Sequence, residues 1–341
     1  WANALNEITI YCNIEGDIMV NFGIVGIGFM GVTHYKAIEK VRGAKVAAIV
    51  SRDEKKLQGD WRNIQGNFGG NGGKQDLGKV ATYRELDQLL NDPNIHVVDI
   101  CLPTPLHVEA SLLALQSGKH VFLEKPIALT LAEANKLVKA AKQYGKSLMV
   151  AHVLRFFPEF RIIKQLVESG KHGKVLAAHF KRIISKPSWW GTNELDRTGG
   201  PAIDLHIHDT DFLQFVFGMP KSVISQGTIG KRMMIEYIHT LYQFPGGMSI
   251  SAEGGWLAKS GCPFEHGYDV YFEDATLKYN SFLRDSPQLL TSDGKIRKPR
   301  LSRKDGFVAE LQEVTDAIRE NRKSEDLDAT SARNSLNICL K

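Results

Sequence analysis

Apolar positions along this chain fall into two textures. From Val20 to about residue 150, short apolar runs alternate with stretches of helical periodicity. The strand-like runs are Val20–Val25, Ala44–Val50, Ile95–Cys101 and His120–Leu123, and the helical stretches are 32–41, 83–90, a segment ending near Ser117, and Leu131–Tyr144. Strand alternating with helix this often predicts a doubly wound parallel sheet. Thr130 and Glu133 predict a capping box opening the last of these helices. Thr104 and Pro105 predict a cap and first position for the helix that follows Cys101.

After residue 150 the texture changes. A helix Pro158–Ser169 and a long strand 174–185 precede an apolar helix spanning 202–217. Then come strand-like runs at 222–229, 235–244, 248–253, 268–272 and 276–279 with no helices between them. Consecutive strands predict a large, mostly antiparallel sheet, covered by helices on one face and open on the other. The open face predicts a homo-oligomer. Phe307, Leu311, Val314 and Ile318 fall on one side of a C-terminal helix. The expected division is an N-terminal extension, 1–18, then a first domain, 19–150, and a second α/β domain, 151–341. Met19, directly before the first strand, reads as the natural start of the fold.

Composition narrows the class without deciding it. The 341 residues are 43% hydrophobic and 24% charged, with a net charge of +5 spread along the chain and no block of like charge, which disfavours a nucleic-acid binder. No apolar run reaches membrane-spanning length, and the first 18 residues lack the basic start of a signal peptide. Four scattered cysteines with no C-x-x-C pair favour a reduced, cytoplasmic setting over a structural zinc site.

Chemistry enters at three places. The first strand ends in G-x-G-x-x-G (Gly26, Gly28, Gly31) and runs into a helix. The first glycine suits a tight turn, the second a close approach to a pyrophosphate and the third helix–strand packing, with Phe29 and Met30 between them. The next strand ends at Ser51-Arg52-Asp53. A small polar residue followed by arginine favours the 2′-phosphate of NADP over the 2′-hydroxyl of NAD, while Asp53 either meets the ribose or caps the following helix. The turn Leu102-Pro103-Thr104-Pro105-Leu106-His107 lies at the carboxyl end of the sheet, where cofactors of such sheets bind. Residues 66–78 are glycine-rich and read as a surface loop rather than a P-loop, since no G-K-[ST] follows.

The second place is Glu124-Lys125-Pro126, again at the end of a buried strand. The third is Gly199 to Asp211, where a continuous helix would set Asp204 and His208 on one face and turn His206 away. That divergence argues against a metal site in H-x-H, so no metal is expected.

Together, G-x-G-x-x-G, E-K-P and G-G-x-x-x-D-x-x-x-H-D-x-D resemble the Gfo/Idh/MocA family of oxidoreductases, over nearly the whole chain from Met19. The resemblance implies a Rossmann domain followed by an α/β domain with an open sheet, a homodimer or homotetramer, and hydride transfer between NAD(P) and a sugar, inositol or related polyol. It matches Lys125, Asp204 and His208 to the family's active-site lysine, aspartate and histidine. His206 replaces a glycine usual in the motif, and Ala151 to Arg155 replace a segment that often has asparagine before arginine, both where substrate is expected. His208 suits the role of general base. Lys125 suits stabilisation of the alkoxide, with Asp204 balancing its charge. His152, Arg155 and Trp189 are further candidates for substrate contact; the Trp189–Trp190 pair also suits an oligomer contact. Two alternatives stay open: a dinucleotide-binding regulator without turnover, and cofactor-dependent glycoside cleavage.

Overall fold

The computed structural model describes residues 18–66, 72–186, 198–230, 233–283 and 286–341. The first sheet is built from β1 (Val20–Val25), α1 (Phe29–Ile38), β2 (Ala44–Val50), α2 (Glu54–Leu57), β3 (Ala81–Tyr83), α3 (Leu86–Leu90), β4 (Val97–Ile100), α4 (His107–Gln116), β5 (His120–Glu124), α5 (Leu131–Tyr144) and β6 (Leu148–Ala151). Its six strands are all parallel in the order β3-β2-β1-β4-β5-β6. The order reverses beside β1, which places the crevice at the carboxyl ends of β1 and β4. Thr130 Oγ1 accepts from the Glu133 amide at 3.2 Å, and Glu133 returns a bond to the Thr130 amide at 3.1 Å, so the expected capping box forms. Helix α5 ends at Gly145, whose φ of 63° terminates it in the left-handed region.

Two local expectations change. The stretch 83–90 divides into β3 and α3. Thr104 does not cap α4; it opens a separate 3-10 turn over 104–106, with Pro105 inside it.

The second sheet follows α6 (Pro158–Ser169) and β7 (Val175–Ser185). Next come α7 (Gly200–Asp204), α8 (Ile207–Phe217), β8 (Ser222–Ile229), β9 (Ile235–Gln243), β10 (Ser249–Ala258), β11 (Glu265–Phe272), β12 (Ala275–Asn280), β13 (Gln288–Thr291) and β14 (Ile296–Arg297). Eight strands pair in the order β14-β13-β12-β11-β7-β10-β9-β8, antiparallel except for β7 against β10. Ala178, Phe180, Val270, Ala252 and Tyr242 face the helices and form the core with Phe160 and Phe212. On the other face Ile224 pairs with Leu241, and they are 68% and 47% exposed.

The last two helices, α9 (Gly306–Arg319) and α10 (Ala329–Cys339), return to the first lobe. Phe307, Leu311 and Val314 of α9 pack into the cluster of Phe22, Ile24 and Phe122. Ala329, Ala332 and Leu336 of α10 join the cluster of α5, and the Val150 amide donates to Leu327 at 3.1 Å. The division expected at residue 150 is therefore crossed by the chain's own C-terminus, which ties the two lobes together. No helix among the described residues is long and apolar enough to cross a membrane.

Candidate active site

One cleft, roughly 2050 Å3 in volume, runs from the glycine turn after β1 to the far lobe's helix α8. The first and third glycines do the steric work that the sequence predicts. Gly26 has φ +95°, and a Cβ there would meet the Cys101 carbonyl at 2.8 Å; at Gly31 a Cβ would lie 2.2 Å from the Gly26 carbonyl. At Gly28, the N-cap of α1, nothing lies within 4 Å, so the backbone stands open to the cleft where a pyrophosphate would approach the helix N-terminus. The residues present thus fit a dinucleotide. Phe29, Met30, Ser51, Arg52, Leu102, Pro103 and Thr104 line the same cleft. Of the two roles open to Asp53, it takes the cap: its carboxylate accepts from the Lys55 amide at 2.9 Å.

Across the cleft, Lys125 reaches the second lobe. Its Nζ donates to the Asp204 carbonyl at 2.7 Å and to Asp204 Oδ1 at 2.9 Å. The geometry depends on a break in the helix expected over 202–217. Gly199 and Gly200 start α7 with φ of 80° and 65°, Pro201 follows, and the His206 amide bonds back to Pro201 at 2.8 Å. The His208 amide then bonds to Leu205 rather than to Asp204. In an unbroken helix the Asp204 carbonyl would accept from His208; the break frees it for Lys125. An ammonium has three donors, and the third is taken by no described residue.

His208 lines the cleft beside this pair. Burial, then the positive charges of Lys125 and Arg182, hold its imidazole well below the ordinary histidine range. It is therefore neutral at physiological pH, and a weaker base than an ordinary imidazole.

Two of the expected site residues serve the architecture instead. Arg155 is 1% exposed: Nε and Nη2 pair with Asp211 at 2.7 and 2.5 Å, Nη2 also meets Ser331 Oγ, and Nη1 donates to the Asp326 carbonyl. Four of its five N–H donors are thus taken by protein groups, and Arg155 is a buried joint between the two lobes and α10. His152 is buried beside it, 3.5 Å from Asp211, and burial lowers its pKa to about 4. Neither lines the cleft.

His206 turns away from the cleft, with Nε2 3.1 Å from both Thr240 Oγ1 and Tyr242 Oη. Its replacement of the usual glycine therefore alters packing on β9, not the substrate wall.

His107 reaches the carbonyls of Pro126 and Leu102, both at 2.8 Å. Burial favours its neutral ring, which donates to one of them at a time. It staples two cleft-edge turns and has no nitrogen left for a cofactor. The Glu124 carboxylate likewise points at His34. Trp189 lies outside the described residues.

Residues that sequence reasoning missed come from the second sheet. Arg182, Ile184, Trp256, Phe264 and His266 line the cleft opposite the glycine turn. Arg182 pairs with Asp209 through Nε at 2.8 Å and Nη2 at 3.0 Å, while its Nη1 bonds no described residue. The signal was there in part: Ala178, Phe180, Arg182 and Ile184 alternate on one face of β7, so an arginine sits where a strand is buried.

Comparison with known proteins agrees with this architecture. A model described as an oxidoreductase family with an NAD-binding Rossmann fold matches residues 20–152, and one described as a GFO/IDH/MocA C-terminal domain matches residues 160–278. Myo-inositol 2-dehydrogenase of Thermotoga maritima is 28% identical over 212 residues, covering 62% of this chain and 59% of that protein. The chain spans little more than half the length of the curated relatives it matches. Among solved structures, a levoglucosan dehydrogenase in complex with NADH and levoglucosan superposes with a TM-score of 0.79 at 20% identity, covering 94% of this chain and 95% of that one. An oxidoreductase from Agrobacterium radiobacter in complex with NAD+, L-tartaric acid and magnesium gives 0.78 at 18% identity, with 94% of each chain covered.

Proposed function

Because the chain belongs to the GFO/IDH/MocA oxidoreductase family, we propose that it moves a hydride between a nicotinamide dinucleotide and a secondary alcohol or ketone of a sugar, inositol or related polyol. The observation that carries this reading is the meeting of Lys125 and Asp204 across the cleft, beside a neutral His208. Gly28, Phe29, Met30, Ser51, Arg52 and Thr104 would hold the dinucleotide, which supplies the hydride acceptor or donor when bound.

In the oxidative direction the substrate hydroxyl takes the remaining donor of Lys125. His208 accepts the hydroxyl proton, and the ammonium stabilises negative charge on the oxygen as it develops. Asp204 holds the ammonium in place by two contacts and balances its charge. In reduction the proton moves the opposite way. Ser51 and Arg52, with Asp53 engaged as a helix cap, support NADP over NAD.

The exposed apolar side chains of the open sheet, Ile224, Leu241 and Leu257, support its being covered by a second copy of the chain. Incubation with NAD or NADP and a panel of sugars, inositols and hydroxy acids, followed by nicotinamide absorbance, tests the activity. Turnover of a polyol supports the reading. Dinucleotide binding without turnover of any member contradicts it.

A further inference from the structure

A charged cluster buried beneath the E-K-P turn takes no part in the proton and hydride chemistry above. His34, on α1 one turn beyond Gly31, is fully buried, with Nδ1 3.1 and 3.0 Å from the two carboxylate oxygens of Asp99. On the other side of the ring, Nε2 lies 3.2 Å from Glu124 Oε1, an ion-pair separation off the line of a straight hydrogen bond. Phe122 stacks on the ring at 5.4 Å, and Cys101 Sγ lies 3.4 Å from Nδ1. Glu310 of α9 is also fully buried, with neither carboxylate oxygen hydrogen-bonded.

Two carboxylates on opposite sides of one dry imidazole need the cation between them. A neutral ring donates to one and turns a lone pair to the other, leaving a buried charge unpaired. Burial alone would favour the neutral ring, but the Asp99 carboxylate outweighs it and holds His34 well above its ordinary value. Burial pushes Glu310 well above the usual carboxyl range, so it is a neutral acid. The other oxygen of Glu124 accepts the Lys125 amide at 3.2 Å. Contacts thus run without a gap from Asp99 through His34 and Glu124 to the backbone of Lys125, and through its side chain to Asp204.

We propose that the His34 imidazolium is a positioning residue for Lys125: by bridging Asp99 on β4 and Glu124 on β5, it fixes the carboxylate that holds the lysine's backbone. This role rests on the reading of Lys125 as the group that binds the reacting oxygen. Loss of the bridge leaves Glu124 free to rotate and Lys125 without a fixed root. Displacement of a reacting group by about 1 Å is enough to cost about 100-fold in rate.

The test uses the full chain labelled with nitrogen-15 at histidine and lysine. At neutral pH both ring nitrogens of His34 are expected to carry protons. The Lys125 ammonium signal, protected by Asp204, is expected in the wild type and in Glu310→Gln, and lost in His34→Asn. On a substrate found by panel screening, His34→Asn is expected to lower kcat about 100-fold with KM and cofactor Kd unchanged; Glu310→Gln, which mimics the neutral acid, leaves kcat intact. Should His34→Asn fail to fold, the wild-type ring measurement and Asp99→Asn, expected to lose the same lysine signal, decide the matter.

A neutral His34 ring overturns the proposal. So does a Lys125 signal retained in folded His34→Asn or Asp99→Asn, or a stoichiometric metal ion held by His34, Asp99 and Cys101. The spectra need no substrate, so a wild type without turnover counts against the proposed activity and leaves the His34 result standing.

Discussion

Lys125 Nζ and the Asp204 backbone carbonyl, 79 residues apart in sequence, sit 2.7 Å from each other because α7 ends at Asp204 and α8 starts afresh at Ile207. The carboxylate of the same aspartate adds a contact at 2.9 Å. The amine is therefore fixed by two acceptors before any substrate arrives. Lys125→Met is expected to lower kcat by about 1000-fold or more, since it removes both the cation and a hydrogen-bond donor at the reacting oxygen. Cofactor Kd, measured by nicotinamide fluorescence, is expected to stay within about twofold, because the dinucleotide's phosphates are met at the far end of the cleft.

Arg52 is exposed and lines the cleft where β2 ends. If it meets a 2′-phosphate, Arg52→Ala is expected to weaken NADP by about 10- to 100-fold, the worth of one charge-assisted hydrogen bond, and to leave NAD nearly unchanged. Titration of both cofactors against both proteins checks this. Equal losses for the two would remove the preference for NADP.

Arg155 and Asp211 are fully buried and paired bidentately. Removing one partner leaves the other charged and unpaired, so Arg155→Met is expected to cost roughly 3–5 kcal/mol of stability in denaturant unfolding. The protein that remains folded is expected to keep its KM. A raised KM with unchanged stability would return Arg155 to the substrate wall.

The contrast between these residues explains what the sequence could reveal. Gly26, Gly28 and Gly31, Thr130 with Glu133, and the E-K-P turn act through backbone geometry within a few residues, so their signals are local. Arg155 looks like any polar loop residue until Asp211, 56 positions away, folds against it. The break between α7 and α8 was invisible for the same reason: Leu205 and His206 have ordinary helix propensities, and His206's partners Thr240 and Tyr242 lie on a distant strand. Helix α10 was missed because its buried face is Ala329, Ala332 and Leu336 among serines and asparagines, too thin an apolar stripe to stand out.

Acid is expected to destabilise the protein well before its carboxylates titrate. Burial, above all, lowers His152 and His206 to about 4 and His266 to about 3. A group whose pKa is depressed in the folded state contributes fully above its unfolded value, near 6.5 for histidine. That contribution is lost as pH falls through the window down to the folded value. Between about pH 6.5 and 4, each of these histidines removes up to about 1.4 kcal/mol of stability per pH unit. His34, with a raised pKa, acts in the opposite sense: its contribution is complete below about 6.5 and is lost as pH rises through its folded value. Thermal unfolding across pH checks the acid limb. A Tm flat from neutral pH to about 4 would contradict the neutral, buried state of these rings.

The most direct test of the whole account follows a single hydrogen. A polyol found by the panel screen is deuterated at its reacting carbon and given to the wild type and to Lys125→Met with saturating cofactor. The expected result is deuterium at C4 of the nicotinamide with the wild type, and transfer slower by about 1000-fold or more with the variant, although it still binds the cofactor. Transfer at an equal rate by the variant, or oxidation by the wild type that leaves no deuterium on the nicotinamide, would contradict it.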